Sequence, residues 1–154
     1  MPIHSSLSLV IDTNIWIYLY HCGLVDAAFE LGSLHIPDLM LTKELITELS
    51  WQDLQDKGAT FHELTSDGMQ TVVVLKDTTR GISICDVACL VLSEQMRIPL
   101  VTHDTNLHKL AVKRHIRVYN YDAFLELMVQ TAIIDEHVRQ TAFETLIALH
   151  MRPQ

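Results

Sequence analysis

Leu7-Ser8-Leu9-Val10-Ile11-Asp12-Thr13-Asn14 passes from an apolar run straight into an acid, and this junction decides the fold. Leu7 to Ile11 reads as a buried strand ending at Asp12, because a strand covered on both faces is continuously apolar and does not alternate. Ile15-Trp16-Ile17-Tyr18-Leu19-Tyr20 and then Val25 to Leu31 read as a helix broken or bent near Gly23 and ended by Gly32.

The same alternation recurs down the chain. Leu34 to Leu41 is a second extended candidate, and Pro37 inside it predicts an edge position or a kink. Thr42 is a suitable N-cap for a helix running through Leu54. Gly58 to Gly68 mixes loop and short helix. Val72-Val73-Val74-Leu75 has the β-branched content of a short strand. A helix is predicted over Ser83 to Met96, a strand over Pro99 to Thr102, a helix over Thr105 to Lys113 and a strand over Ile116 to Tyr119. Strands separated by helical crossovers imply a parallel sheet covered on both faces, hence a three-layer α/β/α sandwich. Asp122 and Asp135 are candidate N-caps of two further helices, the last with an apolar stripe of Val138, Ala142, Phe143, Leu146 and Leu149. Residues 1–122 are therefore expected to form the α/β unit, with 123–154 a helical extension packed on it.

Composition narrows the function classes. The 154 residues fit one domain, and 49% hydrophobic with 19% charged residues suffices for a real core. No basic-then-apolar leader opens the chain, and no stretch approaches the roughly 20 apolar residues that span a bilayer. A soluble cytoplasmic protein without membrane contact is expected. Three cysteines, Cys22, Cys85 and Cys89, include no Cys-x-x-Cys, so buried thiols are expected in place of a zinc site. A net charge of -8 argues against coating nucleic acid by bulk electrostatics. Either nucleic acid is not the partner, or the acids are concentrated where a cation offsets them.

The acids favour the second. Asp12 ends the first strand, Asp104 follows the strand ending at Thr102, and Asp86 lies in the first turn of the helix from Ser83. Ligands of open parallel sheets bind outside the carboxyl ends of the strands, so Asp12 and Asp104 should emerge on one rim. Glu48, on the helix predicted from Thr42, is a fourth candidate, with Glu44 one turn earlier. Each acid has a structural alternative: Asp12 and Asp104 as helix caps, Asp86 as the partner of Ser83 in a capping box, Glu48 as a surface residue. Together they are harder to explain that way. Crowded carboxylates raise one another's pKa unless a counter-charge is present. Hard oxygen donors without Cys or His favour Mg²⁺ or Mn²⁺, ions that activate water and stabilise charge on a phosphate during hydrolysis.

Val-Ile-Asp12-Thr13-Asn14, Glu48-Leu49, Ser83-Ile-Cys-Asp86-Val-Ala and Pro-Leu-Val-Thr102-His-Asp104 with Asn106-Leu-His-Lys-Leu-Ala, taken in order, resemble the PIN-domain family. The likeness runs from Leu7 to Asn120. It implies a PIN-like sandwich, divalent-metal-dependent cleavage of RNA and frequent homodimers. Many bacterial members are VapC-like toxins held inactive by a small antitoxin protein. By this resemblance Asp12, Glu48, Asp86 and Asp104 are the metal-binding catalytic acids. Asn14 then supports the first Asp, and the Thr102 hydroxyl orients the last acid.

Lys109, Lys113, Arg114 and Arg117 follow the Asp104 motif and either contact phosphates or form a solvated helix face. Trp16, Tyr18 and Tyr20 either stack on bases or serve as core or dimer contacts. Three other functions begin from similar residues. An aspartyl phosphotransferase needs a second Asp where Asn14 stands, and a receiver domain needs paired acids after the first strand. A PIN fold kept as an RNA-binding scaffold without cleavage is the third.

Overall fold

In the computed structural model, which describes residues 7–43 and 45–150, the opening apolar run forms β1 (Ser8–Ile11), with Leu9, Val10 and Ile11 fully buried. Residues 1–6, on which the expectation of no leader partly rests, and Glu44 lie outside the described residues. Four further strands, β2 (Ser33–Pro37), β3 (Thr60–His62), β4 (Leu100–Val101) and β5 (Val118–Tyr119), join β1 in one sheet of order β3-β2-β1-β4-β5. Every pairing is parallel. β1 is the middle strand, hydrogen-bonded on both sides. That position explains why it reads as unbroken apolar sequence.

Among the described residues the α-helices are α1 (Thr13–His21), α2 (Val25–Leu31), α3 (Trp51–Lys57), α4 (Ser66–Thr78), α5 (Ile84–Met96), α6 (Thr105–Lys113), α7 (Tyr121–Gln130) and α8 (Glu136–Ala148). α5 lies across β1, β2 and β4, with α4 and α6 beside it; α1 and α2 pack together and against α8 and α7 respectively. The result is the expected three-layer α/β/α arrangement. Gly23 separates α1 from α2 with φ 69°, a left-handed conformation that glycine adopts without a Cβ penalty. Of the predicted terminal stripe, Ala142 and Leu146 are buried in the common core, whereas Phe143 and Leu149 face outward. Asp135 caps α8 through the Val138 amide at 2.8 Å. The cap of α7 is Asn120, through the Ala123 amide at 2.8 Å. Asp122 instead sits in the first turn of α7 and pairs with Arg139 on α8. Among the described residues no helix is long and apolar enough to cross a membrane.

β2 is an interior strand, so the edge alternative for Pro37 fails and the kink holds: the strand ends at Pro37 and the chain turns into Asp38–Thr42. Two further sequence expectations fail, each for a local reason. Val72 to Leu75 is not a strand but part of α4: Thr65 caps that helix by accepting from the Gly68 amide, and Val72 and Leu75 face the core while Val73 and Val74 face outward. Helical spacing of the buried positions overrides β propensity. The helix predicted from Thr42 to Leu54 is also absent. Asp38–Thr42 is a 3₁₀ turn in which the Thr42 hydroxyl donates back to the Leu39 carbonyl, and Ile46 and Leu49 then form an antiparallel bridge. Ser50 is the real N-cap, in a reciprocal capping box with Asp53.

A histidine pair joins β2 to β3. His35 Nδ1 and His62 Nε2 are 2.7 Å apart, a separation that accommodates one proton between them. Burial, and then the neighbouring His62, hold the His35 pKa below its ordinary 6.5. The folded state therefore binds fewer protons than the unfolded chain as pH falls below about 6.5, so His35 withdraws stability in that range. Urea unfolding of wild type and His35→Gln at pH 7.5 and pH 5 should show the wild type losing more stability than the variant. An equal loss in both would refute this coupling.

Candidate active site

From β1 the chain moves outward to β2 and β3, and from β4 it moves the other way to β5. A crevice forms outside the carboxyl ends of the strands where the order reverses. Here those ends carry Asp12 after β1 and Thr102-His103-Asp104 after β4. The ladder continues just past both: Asp12 N–H donates to the Val101 carbonyl at 3.1 Å, and Thr102 N–H to the Tyr119 carbonyl at 3.0 Å.

Asp12 is 1% exposed. One carboxylate oxygen accepts from the Ile15 amide at 3.1 Å, making Asp12 the N-cap of α1, and the other accepts from the Thr102 hydroxyl. Thr102 is fully buried and its oxygen in turn accepts from the Asp104 amide at 3.2 Å. Asp104 caps α6 by accepting from the Leu107 amide at 2.8 Å. One hydroxyl thus links the first acid to the backbone of the last. The Thr102 hydroxyl touches Asp104 only at its backbone amide, and the carboxylate it donates to is that of Asp12.

Asp86 enters the site from α5. Its amide donates to the Ser83 hydroxyl at 3.1 Å, capping the helix and fixing the carboxyl in the first turn. Asp12 and Asp86 sense neighbouring acids. Burial pushes Asp12 from 3.8 up to about 7, the Thr102 and Ile15 hydrogen bonds oppose this, and the charges of Asp86 and Asp104 add to the rise. Asp86 is also raised, first by burial and then by Asp104, against hydrogen bonding from Ser83.

The remaining candidates lie elsewhere or play smaller parts. Glu48 sits exposed in the turn before α3 and lines a separate cavity of about 470 Å³ with Tyr20, Asp26, Asp53 and Lys57. The helix expected to carry it does not form, and among the described residues Glu48 is not one of the charges acting on Asp12 or Asp86. Asn14 is exposed, and among the described residues no hydrogen bond joins its side chain to Asp12. Trp16 is a core residue stacked on Phe29, not a base platform. Tyr18 packs edge-on against Tyr121 and His103.

The basic group divides. Lys109 lines a cavity of about 300 Å³ beside Asp104, together with Thr102, His108 and Asn120, whereas Arg114 and Arg117 lie at the opposite end of the strands. His108 and Asn120 were not singled out in the sequence. His108 is one turn beyond Asp104 on α6 and Asn120 directly follows β5, positions that the rim rule marks once β5 is placed.

The donors suit a hard divalent cation, yet among the described residues no three His, Cys, Asp or Glu side chains are grouped so as to hold a metal ion together. Mg²⁺ rarely uses such a cage; it keeps waters and takes one or two carboxylates plus substrate phosphates. Asp104 and Asp86 fit that requirement, with Asp12 adding charge behind them.

No protein-family model matches the chain, and no curated protein matches it. Among solved structures, a PilT N-terminus domain protein of the hyperthermophilic archaeon Sulfolobus solfataricus P2 is similar, with a TM-score of 0.54 and 10% identity over 81% of this chain and 93% of that one. At this identity the likeness shows the fold alone. The fold is that of PilT N-terminus, or PIN, domains.

The ionised Asp12 carboxylate is a burden on the fold. Its folded pKa of about 7 lies above the ordinary 3.8, so stability rises as pH falls from 7 toward 4 and is lowest above pH 7. At pH 8 in EDTA, Asp12→Asn should unfold at higher urea than wild type, by a few kcal/mol at about 1.4 kcal/mol per pKa unit, and the advantage should vanish near pH 4. Thr102→Val, which strips Asp12 of a donor, should cost roughly 1–3 kcal/mol. A less stable Asp12→Asn at pH 8 would contradict the assignment.

Proposed function

We propose that this PIN-fold chain is a divalent-metal-dependent endoribonuclease, with Asp12, Asp86 and Asp104 as its catalytic acids. The observation that carries the reading is the placement of three acids at the sheet's switch point, where burial first, and then the charges of Asp86 and Asp104, make ionised Asp12 unfavourable. Carboxylates placed this way need a counter-charge, and a cavity beside Asp104 offers Lys109 for a phosphate. A bound Mg²⁺ or Mn²⁺ would supply water activation and neutralise charge on the scissile phosphate.

The chain's own groups divide the remaining work. Asp86 and Asp104, both partly accessible, are the ion's direct ligands. Asp12 is buried behind them, and Thr102 fixes its carboxyl relative to Asp104. Lys109 and Asn120 flank the substrate backbone on the α6 side. Glu48 has no part in this arrangement. The same reading carries homodimerisation, and a small antitoxin protein covering the acidic rim if the enzyme is a toxin.

The second reading is a PIN-fold RNA-binding scaffold without cleavage. The feature that favours it is the absence, among the described residues, of a three-ligand group. Incubation of single-stranded and structured RNAs with the protein in Mg²⁺ or Mn²⁺ separates the two. Cleavage is expected, abolished by EDTA and reduced by about a hundredfold or more in Asp86→Asn, as when an electrostatic stabiliser is removed. RNA binding without cleavage under every metal tested would establish the scaffold, and cleavage indifferent to EDTA would overturn both metal dependence and the acid assignment.

A further inference from the structure

A second cavity, of about 400 Å³, opens at the other end of the strands from the acid rim. The end of α5, the start of β4 and the turn from α6 into β5 enclose it, with Ile98, Pro99 and Ile116 supplying apolar wall. Arg97 and Arg117 supply its cationic groups, with His115 beside them. Glu94, the acid in the lining, is neutralised by a bidentate pair with Arg114, whose Nε and Nη2 donate at 2.7 and 2.9 Å. The Arg97 and Arg117 charges are therefore left uncancelled within the cavity, Arg117 lying 5.2 Å from the Tyr119 ring centroid.

Two features indicate that the cavity is built for a ligand. Ser93, on α5, is 1% exposed and lines the cavity, and its hydroxyl oxygen is buried without a hydrogen-bond partner among the described residues. Buried hydroxyls are ordinarily satisfied, so an unpartnered hydroxyl on a residue of the cavity lining is unusual. Arg97 and His115 also both adopt left-handed backbone, φ 58° and 62°, at the ends of α5 and α6. Glycine is the stable choice at such helix ends. Ala132 and His150 adopt the same conformation outside this lining; what sets Arg97 and His115 apart is that both line one cavity.

We propose that this cavity binds a small phosphate monoester of about nucleotide size. Arg97 and Arg117 would take the phosphate, Ser93 would hydrogen-bond to it from the floor, and the apolar wall would receive the organic part. The volume falls in the usual range for small-molecule sites, and planar guanidinium forks match phosphate oxygens. The proposal does not depend on the nuclease reading, since none of these groups belongs to the acid rim.

Calorimetric titration of the full chain in EDTA with inorganic phosphate, AMP and adenosine tests it. AMP should bind, phosphate should compete with it, and adenosine should bind far more weakly. Arg97→Gly and Ser93→Ala should each weaken AMP by about tenfold, the worth of one charge-assisted hydrogen bond. Both should also unfold at equal or higher temperature than wild type, because one relieves left-handed strain and the other removes an orphaned hydroxyl. Binding should persist in Lys109→Ala, which lies at the acid rim. No AMP or phosphate binding at millimolar concentration, or binding lost in Lys109→Ala and kept in Arg97→Gly, would overturn the proposal. Binding of an oligoribonucleotide alone, lost in Arg97→Gly, would overturn the small-ligand site in favour of an RNA track.

Discussion

The carboxyl group of Asp12 is the point on which fold and site both depend. It ends the central strand, caps the first helix through the Ile15 amide and accepts the Thr102 hydroxyl, all while nearly sealed from solvent. An apolar carboxylate-to-hydrophobe swap would serve the core better, since burying an ionised acid is costly unless it is compensated. Its retention, with Asp86 and Asp104 adding repulsion, places the disadvantage at the rim where strand order reverses. Local instability at a sheet's switch point is what the proposed site for chemistry requires, and a device for stability would not need it.

Thr102 is the connector in this arrangement. Its hydroxyl donates to Asp12 and its oxygen accepts from Asp104 N–H, so strands β1 and β4 are registered at the rim by a side chain as well as by the ladder. Asp86 reaches the same place by a different route, set by Ser83 at the start of the helix that crosses β1, β2 and β4. Three separate caps, Asp12, Ser83 and Asp104, therefore do double service: each starts a helix and each fixes an acid at the rim. The structural and functional interpretations of these residues are not rivals.

Much of this was legible in the sequence wherever burial and capping agreed. β1 and β4 stood out as short apolar runs ending at acids, and α5 and α6 were bounded correctly by Ser83 and Asp104. The failures came where a local signal competed with another. Val72 to Leu75 carries strong β-branched content, but only the helical spacing of Val72 and Leu75 reaches the core. The segment after Thr42 has two plausible caps eight residues apart, and the Ser50–Asp53 capping box prevails. That choice leaves Glu48 in a turn and not on a helix. The three residues of β3 are too few to announce themselves, and the partition of Lys109 from Arg114 and Arg117 follows from which end of β5 each flanks, something linear proximity cannot convey.

The account stands or falls on whether Asp12 feels its acidic neighbours through a site that a cation can relieve. Carbon-13 NMR of the aspartate carboxyl groups across pH 3 to 9, with and without saturating Mg²⁺, reads this directly. The Asp12 carboxyl should titrate near 7 in metal-free protein, fall when Asp86 is replaced by Asn, and fall further toward ordinary aspartate values when Mg²⁺ is added. An Asp12 that titrates near 4 without metal, or whose titration ignores both Asp86→Asn and Mg²⁺, would contradict it.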